Sequence, residues 1–254
     1  MRLKDKVAIV TGVASGIGKG TALLFGEEGA KVVGADINAE EGERTIQALR
    51  AKGAEATFVQ TDVTKSDQVL SLVNKAVTAY GGVDVLFSNV GIVIGNTVDA
   101  VSEEEWDRVM AVNLKSMFLC CKYVIPQMQR RSKGSIVLMS SANALMAEPA
   151  LVTYCTTKAA IVGMTKSLAT DCGKYSIRVN CLCLSYTQTP LVKKHIDSGA
   201  DPSLTWEKVN SLHLINRIAE VEEIARTVLF LASDESSIVT GTAMVADGGL
   251  TCFR

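Results

Sequence analysis

Short runs of almost continuous apolar residues alternate with longer amphipathic stretches from one end of the chain to the other. Val7-Ala8-Ile9-Val10-Thr11 predicts a first strand, and residues 18 to 28 a helix that Gly29 closes from a C-cap position. Lys31-Val32-Val33-Gly34-Ala35-Asp36 predicts a second strand, residues 39 to 52 a polar surface helix closed by Gly53, and Ala56-Thr57-Phe58-Val59-Gln60 a third strand. A helix over residues 67 to 80 stops at Gly81-Gly82, ahead of a fourth strand over 83 to 88. A long helix (102 to 130), a strand (135 to 140), a second long helix (150 to 174) and a strand (177 to 184) follow. Residues 187 to 218 read as an irregular or helical excursion, residues 222 to 233 as a last helix and residues 242 to 245 as a last short strand. Strands that are apolar throughout, separated by helices, require a parallel sheet covered on both faces. Right-handed crossovers make that sheet doubly wound.

About seven strands and no linker, repeat or low-complexity tract make residues 1–254 one α/β domain of the Rossmann type. The excursion 187–218 is its lid. A formal net charge of −1 gives no electrostatic reason to expect nucleic acid or an anionic membrane as partner. The apolar pattern starts directly after Met1-Arg2-Leu3-Lys4-Asp5, leaving no room for a signal peptide, and no uninterrupted apolar run reaches the about 18 residues of a membrane span. Seven cysteines without a CxxC pair read as reduced, mostly buried thiols of a cytoplasmic protein. The two histidines, His195 and His213, stand apart from any cysteine pair, so no metal site is expected.

Ligands of such sheets bind beyond the carboxyl ends of the strands, and the residues there carry the chemistry. Thr11-Gly12-Val13-Ala14-Ser15-Gly16-Ile17-Gly18 follows the first strand. Gly12, Gly16 and Gly18 permit a tight turn, close approach to a pyrophosphate and close helix packing, with a helix N-terminus aimed at the phosphates. The spacing G-x-x-x-G-x-G differs from the G-x-G-x-x-G dinucleotide fingerprint. Asp36 ends the second strand, where a carboxylate accepts from both hydroxyls of an adenosine ribose and repels a 2′-phosphate. With Ser15 in the turn and Ile37 after the aspartate, no local cation receives that phosphate, which favours NAD over NADP. Asp62-Val63, after the third strand, either covers the adenine or caps the next helix. Ser141 ends the fifth strand, and Tyr154 and Lys158 stand at i and i+4 on one helix face. An ammonium beside a phenol favours the phenolate, so that Tyr154 would act as acid/base toward an alcohol or ketone.

These motifs together resemble the short-chain dehydrogenase/reductase family, over essentially the whole chain. Thr11 to Gly18 is similar to its T-G-x-x-x-G-x-G turn and Ser88-Asn89-Val90-Gly91 to its N-N-A-G segment. Asn113, Ser141, Tyr154 and Lys158 match its Asn-Ser-Tyr-Lys tetrad, and Ile177-Arg178-Val179-Asn180 and Ala246-Asp247-Gly248-Gly249 its later signatures. The Tyr-x-x-x-Lys spacing differs from that of its enoyl-reductase relatives. The resemblance implies an NAD-dependent oxidoreductase that interconverts a secondary alcohol and a ketone, and a homotetramer. It implies Tyr154 as acid/base, Lys158 depressing the pKa of Tyr154 and holding the nicotinamide ribose, Ser141 on the reacting oxygen, and Asn113 at a helix break holding a water that touches Lys158. Asn89, Val90 and Gly91 would line the adenine ribose, and Thr187 and Thr189 the nicotinamide amide and phosphates.

The chain departs from the family where Leu184-Ser185 replaces Pro-Gly and where P-L-G-R reads Leu214-Ile215-Asn216-Arg217. The segment from Leu184 to Val221 is therefore expected to be its least family-like part. Ile94, Asn143, Glu148, Leu151, Ser185, Tyr186 and His195 are the candidate substrate residues, a mixed polar pocket suggesting a polyol, sugar or hydroxy acid. The alternative is a non-catalytic NAD-binding sensor or scaffold on the same fold. The complete tetrad speaks against it.

Overall fold

A computed structural model describes residues 1–198 and 204–252, with only the backbone of His195 described. Its first half runs β1 (Val7–Thr11), α1 (Gly16–Glu27), β2 (Lys31–Asp36), α2 (Ala39–Ala51), β3 (Ala56–Gln60), α3 (Ser66–Tyr80), β4 (Val85–Ser88), α4 (Glu103–Met110) and α5 (Ser116–Arg131). Then come β5 (Gly134–Met139), α6 (Val152–Cys172), β6 (Ile177–Leu184), α7 (Pro190–Asp197), α8 (Trp206–Ser211), α9 (Val221–Ala232) and β7 (Ala243–Ala246). The strands form one sheet in the order β3-β2-β1-β4-β5-β6-β7, and every pairing is parallel. The order reverses beside β1, so the crevice between the ends of β1 and β4 is where a ligand belongs. The expected continuous apolar strands are borne out: β1, β4 and β5 are buried along their whole length.

Local chemistry sets the helix ends. Asn38 caps α2 by accepting from Glu41 N at 3.2 Å. Ser102 and Glu105 form a capping box at α4. Gly81 ends α3 at φ +83°, as a left-handed C-cap. The single long helix expected over residues 102 to 130 is interrupted by a π-helical turn at Ala111–Lys115, around Asn113. By length and composition the helical stretch Glu103–Arg131 is long and apolar enough to cross a membrane, although charged residues interrupt it. Here Met117, Cys120, Cys121, Val124 and Met128 on α5 are buried in the core instead.

The excursion after β6 contains α7 and α8 and is fastened at three places. Thr189 caps α7 ahead of Pro190 in its first turn, accepting from Val192 N. Thr187 pairs with Ala219 in an isolated parallel bridge. Gly248 and Gly249, at φ +62° and +86°, let the chain lie against His213, Leu214 and Ile215, where a β-carbon at Gly249 would come within 2.6 Å of Leu214. Asn216, in place of the family's glycine, has φ +54°, a left-handed conformation that Asn tolerates better than most side chains.

Candidate active site

Parallel strands end on one edge, so the residues just after β1, β2, β4, β5 and β6 meet there. Gly12 turns at φ +79°, and a β-carbon on it would come within 2.7 Å of Asn89 Nδ2. The Asn89 amide donates to Thr11 O at 3.2 Å, and Asn89 N donates to Thr11 Oγ1 at 3.0 Å, which pins the β4 loop to the end of β1. A β-carbon at Gly18 would sit 2.0 Å from the Gly12 carbonyl oxygen, so only glycine closes this turn. Gly16, at φ +52°, lies against the Thr189 methyl, and the first turn of α7 thereby reaches the glycine turn. Ser15 is exposed and Ile17 is half-buried against the core.

The Asp36 carboxylate accepts from Ala14 N and from Asn38 N, each at 2.9 Å. It therefore faces the glycine turn, while Asn38 does the helix capping. Ile37 beside it is exposed. Asp62 accepts from Thr64 N and Thr64 Oγ1, at 2.9 and 2.7 Å, so it shapes its own turn instead of capping α3. Val63 is buried. Val90 packs half-buried against the core, and Gly91 approaches both Lys158 Nζ and Asn113 Oδ1.

Asn113 is fully buried, and its amide clasps one residue. Its Oδ1 accepts from Ile92 N at 2.8 Å, and its Nδ2 donates to Ile92 O at 2.9 Å and to Thr157 Oγ1 at 3.2 Å. The side chain thus clamps the β4 loop. The π turn supplies the extra residue that turns Asn113 inward. Lys158 is buried and donates from Nζ to Met139 O at 2.9 Å, with Nζ 5.4 Å from the Tyr154 ring centre. Ser140 Oγ donates to Lys158 O at 2.9 Å and ties α6 to the end of β5. Ser141 Oγ accepts from Asn143 N at 3.2 Å and donates to Asn143 Oδ1 at 3.3 Å.

Burial decides the titration of both groups. It pushes Lys158 down to about 8 and raises the Tyr154 phenol, against a hydrogen bond with Ser141 and with help from the charges of Cys155 and Glu148. Burial, and not the expected lowering by Lys158, sets the direction for Tyr154 here.

The substrate candidates divide. Asn143 Nδ2 contacts Glu148 Oε2 at 3.4 Å and Cys155 Sγ at 3.7 Å, and Asn143, Glu148, Leu151 and Ile94 are all half-buried. Leu151 starts α6 and bridges to Asn96. Ser185 behaves differently: it is buried, 2.7 Å from His213 Nε2 and 3.3 Å from Asp247 O. This corrects the expectation of a pocket-lining hydroxyl. Ser185 takes no left-handed φ, so the Gly-to-Ser change is accommodated by a new side-chain contact and not by strain. His213 Nδ1 bonds Val209 O at 2.9 Å, and Tyr186 meets the His213 ring edge-on at 6.5 Å. The His195 side chain lies outside the described residues. Sequence reasoning missed the roles of His213 and the Met139 carbonyl, because each acts across the fold with no local motif. Among the described residues no three His, Cys, Asp or Glu side chains are grouped to hold a metal.

A doubly wound sheet with a glycine turn after β1 and a Ser-Tyr-Lys cluster after β5 defines a dinucleotide-dependent oxidoreductase class. The chain belongs to the short-chain dehydrogenase/reductase family, an oxidoreductase family that uses nicotinamide cofactors. Residues 12–251 match a family model described as enoyl-(acyl carrier protein) reductase. The chain is 38% identical over 250 residues to the Thermotoga maritima 3-oxoacyl-[acyl-carrier-protein] reductase FabG, covering 98% of this chain and 99% of that one. It is also 38% identical over 255 residues to the 2,5-dichloro-2,5-cyclohexadiene-1,4-diol dehydrogenase of Sphingobium indicum, covering 99% of each. Among solved structures, levodione reductase superposes with a TM-score of 0.93 at 30% identity, covering 100% of both chains.

Proposed function

We propose that the chain is an NAD(H)-dependent dehydrogenase, acting as a cytoplasmic homotetramer, that interconverts a secondary alcohol and its ketone. The observation that carries this reading is the meeting of Ser141, Tyr154 and Lys158 beside a glycine turn faced by the Asp36 carboxylate. The cradle fits a dinucleotide: Gly12 and Gly18 put no β-carbon at the tightest points of the turn, and Asp36 keeps acceptor capacity beyond its two backbone bonds. No cation stands beside Asp36 at Ala14, Ser15, Ile37 or Asn38 to receive a 2′-phosphate.

The bound cofactor supplies hydride transfer to or from the carbinol carbon. On oxidation Tyr154 Oη takes the hydroxyl proton, and on reduction it returns a proton to the ketone oxygen. Ser141 Oγ holds that oxygen, exchanging its long bond to Asn143 for it. Lys158 keeps two N–H groups beyond the one on Met139 O for the ribose, and Asn113 holds the Gly91–Ile92 loop against it. Unpaired thiols throughout suit a reducing compartment. Exposed Phe118 on α5 and Val245 on the edge strand β7 are apolar surfaces that subunit contacts would cover.

Calorimetric titration with NADH and NADPH tests the cofactor. NADH binds the tighter of the two, and Asp36→Ala narrows the gap by about tenfold, the scale of one charge-assisted hydrogen bond. A wild-type preference for NADPH overturns the assignment.

A further inference from the structure

We propose that Glu148 and Asn143 form a hydroxyl-recognition pair that commits the site to a neutral vicinal diol, or the matching hydroxyketone, and against a hydroxy acid. The proposal rests on the alcohol–ketone reading of the site and names its substrate class. Glu148 is half-buried, and its carboxylate is near enough to Tyr154 to oppose ionisation of the phenol. It forms no ion pair with any described residue. Its hydrogen bonding among the described residues is one long contact of 3.4 Å from Asn143 Nδ2. A carboxylate has about four acceptor positions, so most of its capacity is unused beside the reacting centre.

Lys158, the cation beside Tyr154, does not compensate it, because it is buried and bound to Met139 O. Asn143 links the pair to the chemistry, because its Oδ1 accepts from Ser141 Oγ at 3.3 Å. A substrate oxygen held by Ser141 and Tyr154 therefore sets its adjacent carbon beside Asn143 and Glu148. One donor and one acceptor at the spacing of a single hydrogen bond suit one hydroxyl, which accepts from Asn143 Nδ2 and donates to Glu148. A carboxylate on that carbon finds the donor but meets the charge of Glu148 in a half-buried site, where like-charge repulsion is weakly screened.

The test compares butane-2,3-diol with 3-hydroxybutyrate as substrates for NAD reduction by wild-type enzyme and Glu148→Gln. Wild type is expected to favour the diol in kcat/KM by at least about tenfold, the scale of one hydrogen bond to a charged group, and Glu148→Gln to cut that ratio by about the same factor. Equal or greater wild-type kcat/KM for the acid overturns the proposal. So does a Glu148→Gln ratio within twofold of wild type, whether or not the oligomeric state changes. Calorimetric binding of both compounds to NAD-loaded Tyr154→Phe separates selection from catalysis. Tighter diol binding, weakened relative to the acid when Glu148→Gln is added, supports the pair even if wild type turns over neither compound. Tighter acid binding overturns it.

Discussion

Tyr154 and Lys158 stand side by side, and burial drives each toward its neutral form. For Tyr154 the upward shift means that the phenolate, the form that takes a proton from an alcohol, gains population as pH rises. The kcat/KM for alcohol oxidation should therefore climb steadily between pH 6 and 9, whereas ketone reduction, which needs the phenol, should not rise. A pH-rate profile in both directions checks this, and an oxidation rate that falls over that range contradicts it. For Lys158 the folded pKa of about 8 lies below the ordinary 10.5. Below pH 8 both folded and unfolded chains hold the proton and folding bears the full cost of the buried charge. Between 8 and 10.5 only the unfolded chain holds it, so folded stability rises with pH. Wild type should thus gain roughly 3 kcal/mol relative to Lys158→Met across that window, read from urea unfolding at stepped pH. A constant difference would place the ammonium in water.

Two elements hold these groups in position. The π turn at Ala111–Lys115 gives Asn113 both backbone groups of Ile92 to bind. Asn113→Ala should cost about 2 kcal/mol in unfolding free energy, since it leaves that backbone without partners, and should lower kcat through the displaced Gly91 loop. The lid is joined to the sheet by Ser185 and His213, whose contact spans the end of β6 and the segment after α8. Ser185→Ala should cost about 1 to 3 kcal/mol and speed proteolysis between residues 187 and 218, because a buried imidazole nitrogen loses its partner. The strands behind these devices were legible because an unbroken apolar run such as Val7 to Thr11 has no other stable place than the middle of a parallel sheet. Gly18 was legible because a turn without room for a β-carbon demands glycine. The π turn was visible as a break at Asn113, implied by resemblance, but not as a five-residue register, which no local periodicity encodes. Ser185 was misplaced because its partner lies 28 positions away, across a lid whose path the apolar pattern leaves open.

At the scale of the whole molecule, all seven strands run parallel and bring their carboxyl ends to one edge. The glycine turn, Asp36 and the Ser141–Tyr154–Lys158 group are thereby gathered from residues spread over more than half the chain. If the proposed tetramer forms, light scattering gives the mass of four chains, and a monomer would remove the tetramer from the proposal. The central claim is that Tyr154 moves the proton in NAD-linked alcohol oxidation. Initial rates at 340 nm over a panel of secondary alcohols, with NAD and with NADP, for wild type and Tyr154→Phe test it most directly. Wild type should turn over with NAD, and Tyr154→Phe should lose at least about a hundredfold in rate while still binding NADH. Turnover retained by Tyr154→Phe, or wild type that binds NADH and oxidises none of the panel with either cofactor, would contradict it.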